Sequence, residues 1–151
     1  MDQVKNDEYF MRLAMVEAEK SLNKDEVPIG AVMVYKDKIL CHTHNETISR
    51  NDPTAHAEIL AIKEACKKIK NYRLNDFDLY VTLEPCPMCM GAIVHSRIRR
   101  LVFGAHDSKW GAVESIMSFP LYKMNHHVET KGGVLADECG RILKCFFKSK
   151  R

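Results

Sequence analysis

Four side chains in this sequence have the types and spacing of a metal-dependent hydrolytic centre. His56 and Glu58 lie in Thr54-Ala55-His56-Ala57-Glu58, and Cys86 and Cys89 lie in Glu84-Pro85-Cys86-Pro87-Met88-Cys89. A catalytic zinc takes three nitrogen or sulfur ligands and keeps a fourth position for water, and His56, Cys86 and Cys89 supply that set. Water activated there attacks an electron-poor carbon near neutral pH. Glu58, close to the metal but not bound to it, is then the group that takes a proton from water, delivers it to a ring nitrogen and helps ammonia leave.

The spacing also says where the four must sit. Cys86 and Cys89 project from one face if a helix begins near Pro87, whose missing N–H costs nothing in a first turn. The free N–H groups of such a turn favour thiolates. His56 and Glu58, two residues apart, would point about 200 degrees away from each other inside a helix. They converge only at a helix tip, and Asp52-Pro53-Thr54 supplies starting chemistry for one. Two helix N-termini are therefore expected to face one metal. Taken singly, a His-x-Glu pair carries little information, and a Cys-x-x-Cys pair fits a redox site or half of a structural zinc site. A closed structural site would need a fourth ligand, for which His42 and His44, on a predicted strand or its exit, are candidates. Joined in the order H-x-E…P-C-x-x-C, the motifs are those of zinc-dependent deaminases of nucleobases.

The elements that must position these groups alternate along the chain. Apolar residues at helical spacing over residues 7–20 predict a helix, and Ile29–Tyr35 and Ile39–Cys41 predict a hairpin around Lys36-Asp37-Lys38. A helix is expected over residues 55–68, a buried strand over Leu79–Leu83, a helix from Pro85 and Pro87 through Ser96, and a strand over Arg100–Phe103. Residues 104–125 read as irregular with a short helix, and Ala136–Lys148 as a closing helix. The alternation predicts a mixed sheet covered by helices, an α/β sandwich.

Composition narrows the class. With 151 residues, 46% hydrophobic and 28% charged, the chain fits one globular domain large enough to fold without a metal. The first ten residues carry charges where a signal peptide needs an apolar run, and no apolar stretch reaches a membrane span, so a cytoplasmic location without membrane attachment is expected. Six unevenly spaced cysteines do not read as a disulfide framework. Cys41, Cys66, Cys139 and Cys145 stand alone and receive no role. A net charge of +3 is a mild basic bias that does not by itself identify a nucleic-acid binder.

Longer stretches carry a resemblance. Glu26-Val27-Pro28-Ile29-Gly30-Ala31, Asn51 through Glu58, Asn71-Tyr72-Arg73-Leu74, Leu79 through Cys89, His95-Ser96-Arg97-Ile98, Val102-Phe103-Gly104-Ala105 and Gly133 through Cys139 resemble the bacterial tRNA-specific adenosine deaminases of the TadA type. That family is itself a type case of zinc deamination with an extruded base. The resemblance runs over nearly the whole chain, as one zinc-dependent deaminase domain over residues 1–151. It implies a three-layer α/β/α sandwich on a mixed five-stranded sheet, cytidine deaminase-like, with one zinc ion per subunit. It further implies conversion of the wobble adenosine to inosine in the anticodon stem-loop of a tRNA, tRNA-Arg in particular, by a homodimer.

Residue by residue, Asn45 matches the family's base-contacting asparagine, and an amide both donates and accepts toward ring edges. Ala57, inside the His-x-Glu motif, is implied as a substrate contact. Asp107 and Lys109 match positions near the substrate ribose and backbone. Phe146 and Phe147 match aromatics that stack loop bases beside Lys144, Lys148, Lys150 and Arg151, with one of the two expected to pack inward. Arg97, Arg99 and Arg100 are candidates for phosphate contact. The sequence departs from the family at Trp110, at Cys145 and over residues 115–124, which include Tyr122 and Lys123. Other readings stay open at this point: a deaminase of free guanine, cytosine or a nucleotide, and a non-catalytic zinc module that binds RNA. An unligated Glu58 argues against the latter, and the basic aromatic C-terminus argues against the former.

Overall fold

The computed structural model describes residues 2–150. Helix α1 (Gln3–Leu22) leads to the antiparallel hairpin β1 (Gly30–Tyr35) and β2 (Lys38–His44), followed by α2 (Ala57–Ile69), β3 (Phe77–Leu83), α3 (Pro87–His95) and β4 (Arg100–Ala105). A short 3-10 helix (Leu121–Lys123), β5 (Glu129–Lys131) and α4 (Ala136–Ser149) complete the order. The sheet runs β2-β1-β3-β4-β5, antiparallel at β1/β3 and parallel at β3/β4 and β4/β5.

Strand side chains alternate between faces, and each face has its own helices. Ala31, Met33, Leu79, Val81, Leu101 and Phe103 point to one side, against Ala57, Ala61 and Ala65 of α2 and Met90 and Ile93 of α3. Val32, Val34, Tyr80 and Val102 point to the other, against Phe10, Met11 and Ala14 of α1 and Cys139 of α4. The expected three-layer α/β/α sandwich and five-stranded mixed sheet are both present. Gly30 shows how closely α1 lies on β1, since a Cβ there would collide with the Ala14 carbonyl.

Expected and observed elements agree to within a few residues except at β5. That strand is three residues long and none of them is buried, so no apolar alternation announces it. Its partner register, Arg100 to Glu129 through Val102 to Lys131, is supplied by β4.

A buried polar cluster ties α1 to the sheet. Asp7, with no exposed surface, accepts from Tyr80 Oη at 2.8 Å, from Arg100 Nη1 and Nη2 at 2.7 and 2.8 Å, and from Lys131 Nζ at 3.1 Å. This corrects the phosphate reading for Arg100. The Arg100 guanidinium is committed to Asp7, Arg99 pairs with Asp78 at 2.5 Å, and both stand at the start of β4. Parallel strands β3 and β4 end at the opposite edge, where the loops carrying the cysteine motif and Asp107 open. Among the described residues no helix is long and apolar enough to cross a membrane.

Candidate active site

His56 and Cys86 occupy equivalent positions. Each is the extended residue that caps a helix, with φ/ψ of −72/153 degrees at His56 before α2 and −79/172 degrees at Cys86 before α3. Upstream, the Asp52 carboxylate accepts the Thr54 N–H at 2.8 Å and its hydroxyl at 2.7 Å, which turns the chain into α2. Cys89 and Glu58 lie in the first turns of the two helices. As cap and first-turn residue, His56 and Glu58 escape the opposition that a helix interior would impose.

The three expected metal ligands meet. His56 Nδ1 is 3.7 Å from Cys86 Sγ and 3.5 Å from Cys89 Sγ, and all three donor atoms lie within 4.8 Å of one another. Tetrahedral zinc with bonds of about 2.3 Å to sulfur and about 2.0 Å to nitrogen separates such donors by roughly 3.5 Å. The donor set fits zinc in both chemistry and spacing. Among the described residues no further His, Cys or carboxylate joins the group. His42 and His44 turn instead to Glu17, with Nδ1 atoms 3.0 and 3.3 Å from its carboxylate, so neither supplies a fourth ligand.

Electrostatics sort the groups. A hydrogen bond from Cys89, and next one from the His56 imidazole, hold the Cys86 thiol down at about 4, which favours the thiolate. The contact with Cys86, together with burial, pushes Cys89 the other way, while at His56 the hydrogen bond to Cys86 outweighs burial, which lowers it, and raises the imidazole. Burial lifts the Glu58 carboxyl to about 7, where it can both accept and release a proton in neutral solution. A dication on the three donors would draw that value back down.

The site opens into a cleft of about 1420 Å³ lined by His56, Glu58, Cys86, Asn45, Asp107, Lys109 and residues of α4. Asn45 is 5% exposed; its Nδ2 donates to the Val27 carbonyl at 3.3 Å, while its Oδ1 has no partner. Asp107 and Lys109 line the wall after β4, and Phe147 and Lys148 the wall from α4. Ala57 and Phe146 turn their side chains inward, which for the phenylalanine pair is the arrangement expected of one member. The Ala57 side chain is fully buried between α2 and the sheet, which leaves only its N–H, without an intrahelical acceptor, to serve a ligand. Phe146 falls on the same helical face as Cys139 and Leu143 and is buried; Phe147, one position round, is 50% exposed.

Two carboxylates that brace the loops around the cleft were not singled out from sequence. Glu84 accepts the N–H groups of Asp107, Val113, Glu114 and Ser115 at 3.1, 3.0, 2.7 and 3.0 Å, and the Ser115 hydroxyl. Burial alone would raise its carboxyl, but these donors hold it below the ordinary value. The loop wraps so tightly that a Cβ at Gly111 would strike the carboxylate. Glu26 likewise accepts from the Ile48 and Ser49 N–H groups at 3.0 and 2.7 Å and steadies the approach to His56. For Glu84 the available signal is a charge placed directly after an apolar strand and before Pro85, where the chain has not yet left the core.

The chain matches the MafB19-like deaminase family over residues 5–151. It is 52% identical over 147 residues to a tRNA-specific adenosine deaminase of Haemophilus influenzae, covering 96% of this chain and 85% of the relative. A tRNA-specific adenosine deaminase of Bacillus subtilis is 47% identical over 146 residues, covering 96% and 91%. A solved structure from a study of A-to-I editing by tRNA:A34 deaminases at the wobble position superposes with a TM-score of 0.85 at 47% identity, covering 89% of this chain and 99% of that one. A guanine deaminase of Nitrosomonas europaea, at 22% identity and a TM-score of 0.78 over 92% and 83% of the two chains, shares the fold alone. With full-length relatives at this identity and the same sandwich, this chain belongs to the tRNA-specific adenosine deaminases.

Proposed function

We propose that the protein deaminates the wobble adenosine of a tRNA anticodon, tRNA-Arg in particular, to inosine. The observation that carries this reading is the meeting of His56, Cys86 and Cys89 on two helix N-termini beside a buried, unligated Glu58, at the floor of a cleft far larger than one base. Zinc held by the three donors supplies the Lewis acidity that makes water nucleophilic near neutral pH.

The rest falls to the chain's own residues. Glu58 takes one proton from the attacking water and passes it to the purine ring nitrogen, then takes the second from the hydroxyl added to the ring carbon and delivers it to the amino group, which leaves as ammonia while the carbonyl forms. Asn45 Oδ1, an acceptor with no partner in the protein, receives a donor from the bound nucleotide. Phe147 and Lys148 present an aromatic face and a cation to neighbouring nucleotides. An anticodon loop base is already unpaired, so drawing it to the cleft floor costs less than extraction from a duplex. We read the working protein as a cytoplasmic homodimer of single-domain subunits with one zinc in each.

The test is to incubate zinc-loaded protein with tRNA carrying a wobble adenosine and to sequence for inosine. Inosine at that position, absent with Glu58→Ala, is the expected result. Deamination of free guanine or cytosine with none of tRNA would overturn the reading.

A further inference from the structure

Trp110 is the chain's single tryptophan and departs from the residue that the family resemblance leads one to expect. Its side chain is 64% exposed and lines the same cleft as Glu58. Among the described residues no aromatic ring stacks on it.

The mount of this ring is rigid although the ring is bare. The Asp107 side chain accepts the N–H groups of Lys109 and Trp110 at 3.0 and 3.2 Å, and the Asp107 carbonyl accepts that of Gly111 at 2.9 Å. The Asp107 N–H is in turn fixed by Glu84. An exposed indole on a braced turn loses little conformational freedom when a flat partner covers it.

The surroundings favour a nucleotide as that partner. Lys109, Lys144 and Lys148 line the cleft, and none forms an ion pair among the described residues. Protein-binding patches are depleted of lysine at their core, whereas single-stranded RNA sites combine free cations with aromatic faces. The reacting base must reach Glu58, which is buried at the floor, so a ring at the cleft wall serves a different base.

We propose that Trp110 is a stacking platform for a base of the RNA loop other than the one deaminated, and that it sets affinity for RNA in this particular chain. The proposal rests on the tRNA reading above.

Being unique, Trp110 is its own reporter. A tRNA-Arg anticodon stem-loop is titrated into zinc-loaded protein in a Glu58→Ala background that stops turnover, with binding followed by anisotropy of labelled RNA and, separately, by tryptophan emission with unlabelled RNA. Emission is expected to be quenched along the binding curve. Trp110→Ala should weaken binding roughly five- to 150-fold, the range that stacking on one base spans. Trp110→Phe should restore most of it, and in the Glu58 protein Trp110→Ala should raise KM while leaving kcat at saturating RNA unchanged.

If Trp110→Ala binds RNA as tightly as the Trp110 protein does, or if bound RNA leaves the emission of the Trp110 protein unaltered, the platform is overturned and the tRNA reading stands. If no variant binds RNA, the tRNA reading fails and the platform with it. If RNA-free protein already shows a water-shielded indole that emerges on dilution, Trp110 lies in a contact between chains and the proposal is overturned.

Discussion

The backbone N–H of Asp107 donates to the carboxylate of Glu84 at 3.1 Å, which joins the loop after β4 to the residue two positions before Cys86. One carboxylate thereby sets the cleft wall against the proposed metal helix. Glu84→Gln keeps the shape but replaces an acceptor oxygen with an N–H₂ group among five donors. Each buried N–H left unsatisfied costs about 1–3 kcal/mol. The variant is expected to melt several degrees lower and to exchange the amides of residues 113–115 faster, while retaining zinc. Hydrogen exchange with mass spectrometry checks this, and unchanged protection of that loop would remove the bracing role.

Glu58 combines a catalytic position with a structural cost. Glu58→Ala should lower turnover by at least about a hundredfold to ten-thousandfold, with zinc per chain unchanged. Loss of zinc along with activity would instead make Glu58 a ligand.

The same carboxyl predicts a pH effect in metal-free protein. Its ordinary value is 4.5 and burial raises it to about 7, so the folded state binds more protons than the unfolded one between those values. Stability contributed by this group is therefore lost as pH rises from about 4.5 to about 7, on the order of 1–3 kcal/mol. Metal-free Glu58→Gln should be more stable than metal-free parent at pH 8 and equal to it near pH 4. Urea unfolding at the two pH values decides, and an equal difference at both would show that burial does not penalise the ionised form.

Asn45 separates binding from folding. Its Oδ1 is buried without a partner, and its one bond, to the Val27 carbonyl, is long at 3.3 Å. Removing an unsatisfied buried acceptor recovers much of what the lost bond costs, so Asn45→Ala should change stability by less than about 1 kcal/mol. Substrate KM should rise roughly tenfold or more, because a hydrogen bond to the ligand is typically worth about 1–2 kcal/mol. A large fall in melting temperature with unaltered KM would assign Asn45 to the fold.

The parts of the fold that periodicity encodes were legible in the sequence. Leu79 through Leu83 reads as a buried strand because both its faces are covered, and the His-x-Glu and Cys-x-x-Cys spacings could serve one metal only from helix tips. Long-range polar pairing was not legible. Asp7 and Arg100 are far apart in sequence, and each alone looks like a solvated charge; the arginine run was accordingly read as a phosphate contact. One of Phe146 and Phe147 was expected to pack inward, but which one was not legible, because one helical position decides whether a side chain enters the core or the cleft, and sequence fixes helix phase less sharply than helix existence.

Asp7 and Arg100 make the last prediction. Burial alone would raise the Asp7 carboxyl above its ordinary 3.8, but the bonds from Arg100, Tyr80 and Lys131 outweigh it and hold the group well below that value. A carboxylate lowered on folding contributes stability above its unfolded pKa and loses it as pH falls through the folded one. The parent should therefore lose stability progressively below about pH 4. Asp7→Asn, which cannot ionise, should be flatter over that window, with its deficit against the parent largest at neutral pH. There the substitution leaves the Arg100 guanidinium, only 6% exposed, with the exposed Glu129 carboxylate at 3.6 Å as its remaining partner, so the loss should approach but not exceed the about 3–5 kcal/mol usual for breaking a buried pair. Urea midpoints of both proteins between pH 7 and pH 3 give the comparison, and parallel curves would mean that the pair adds no pH-dependent stability to the link between α1 and the sheet.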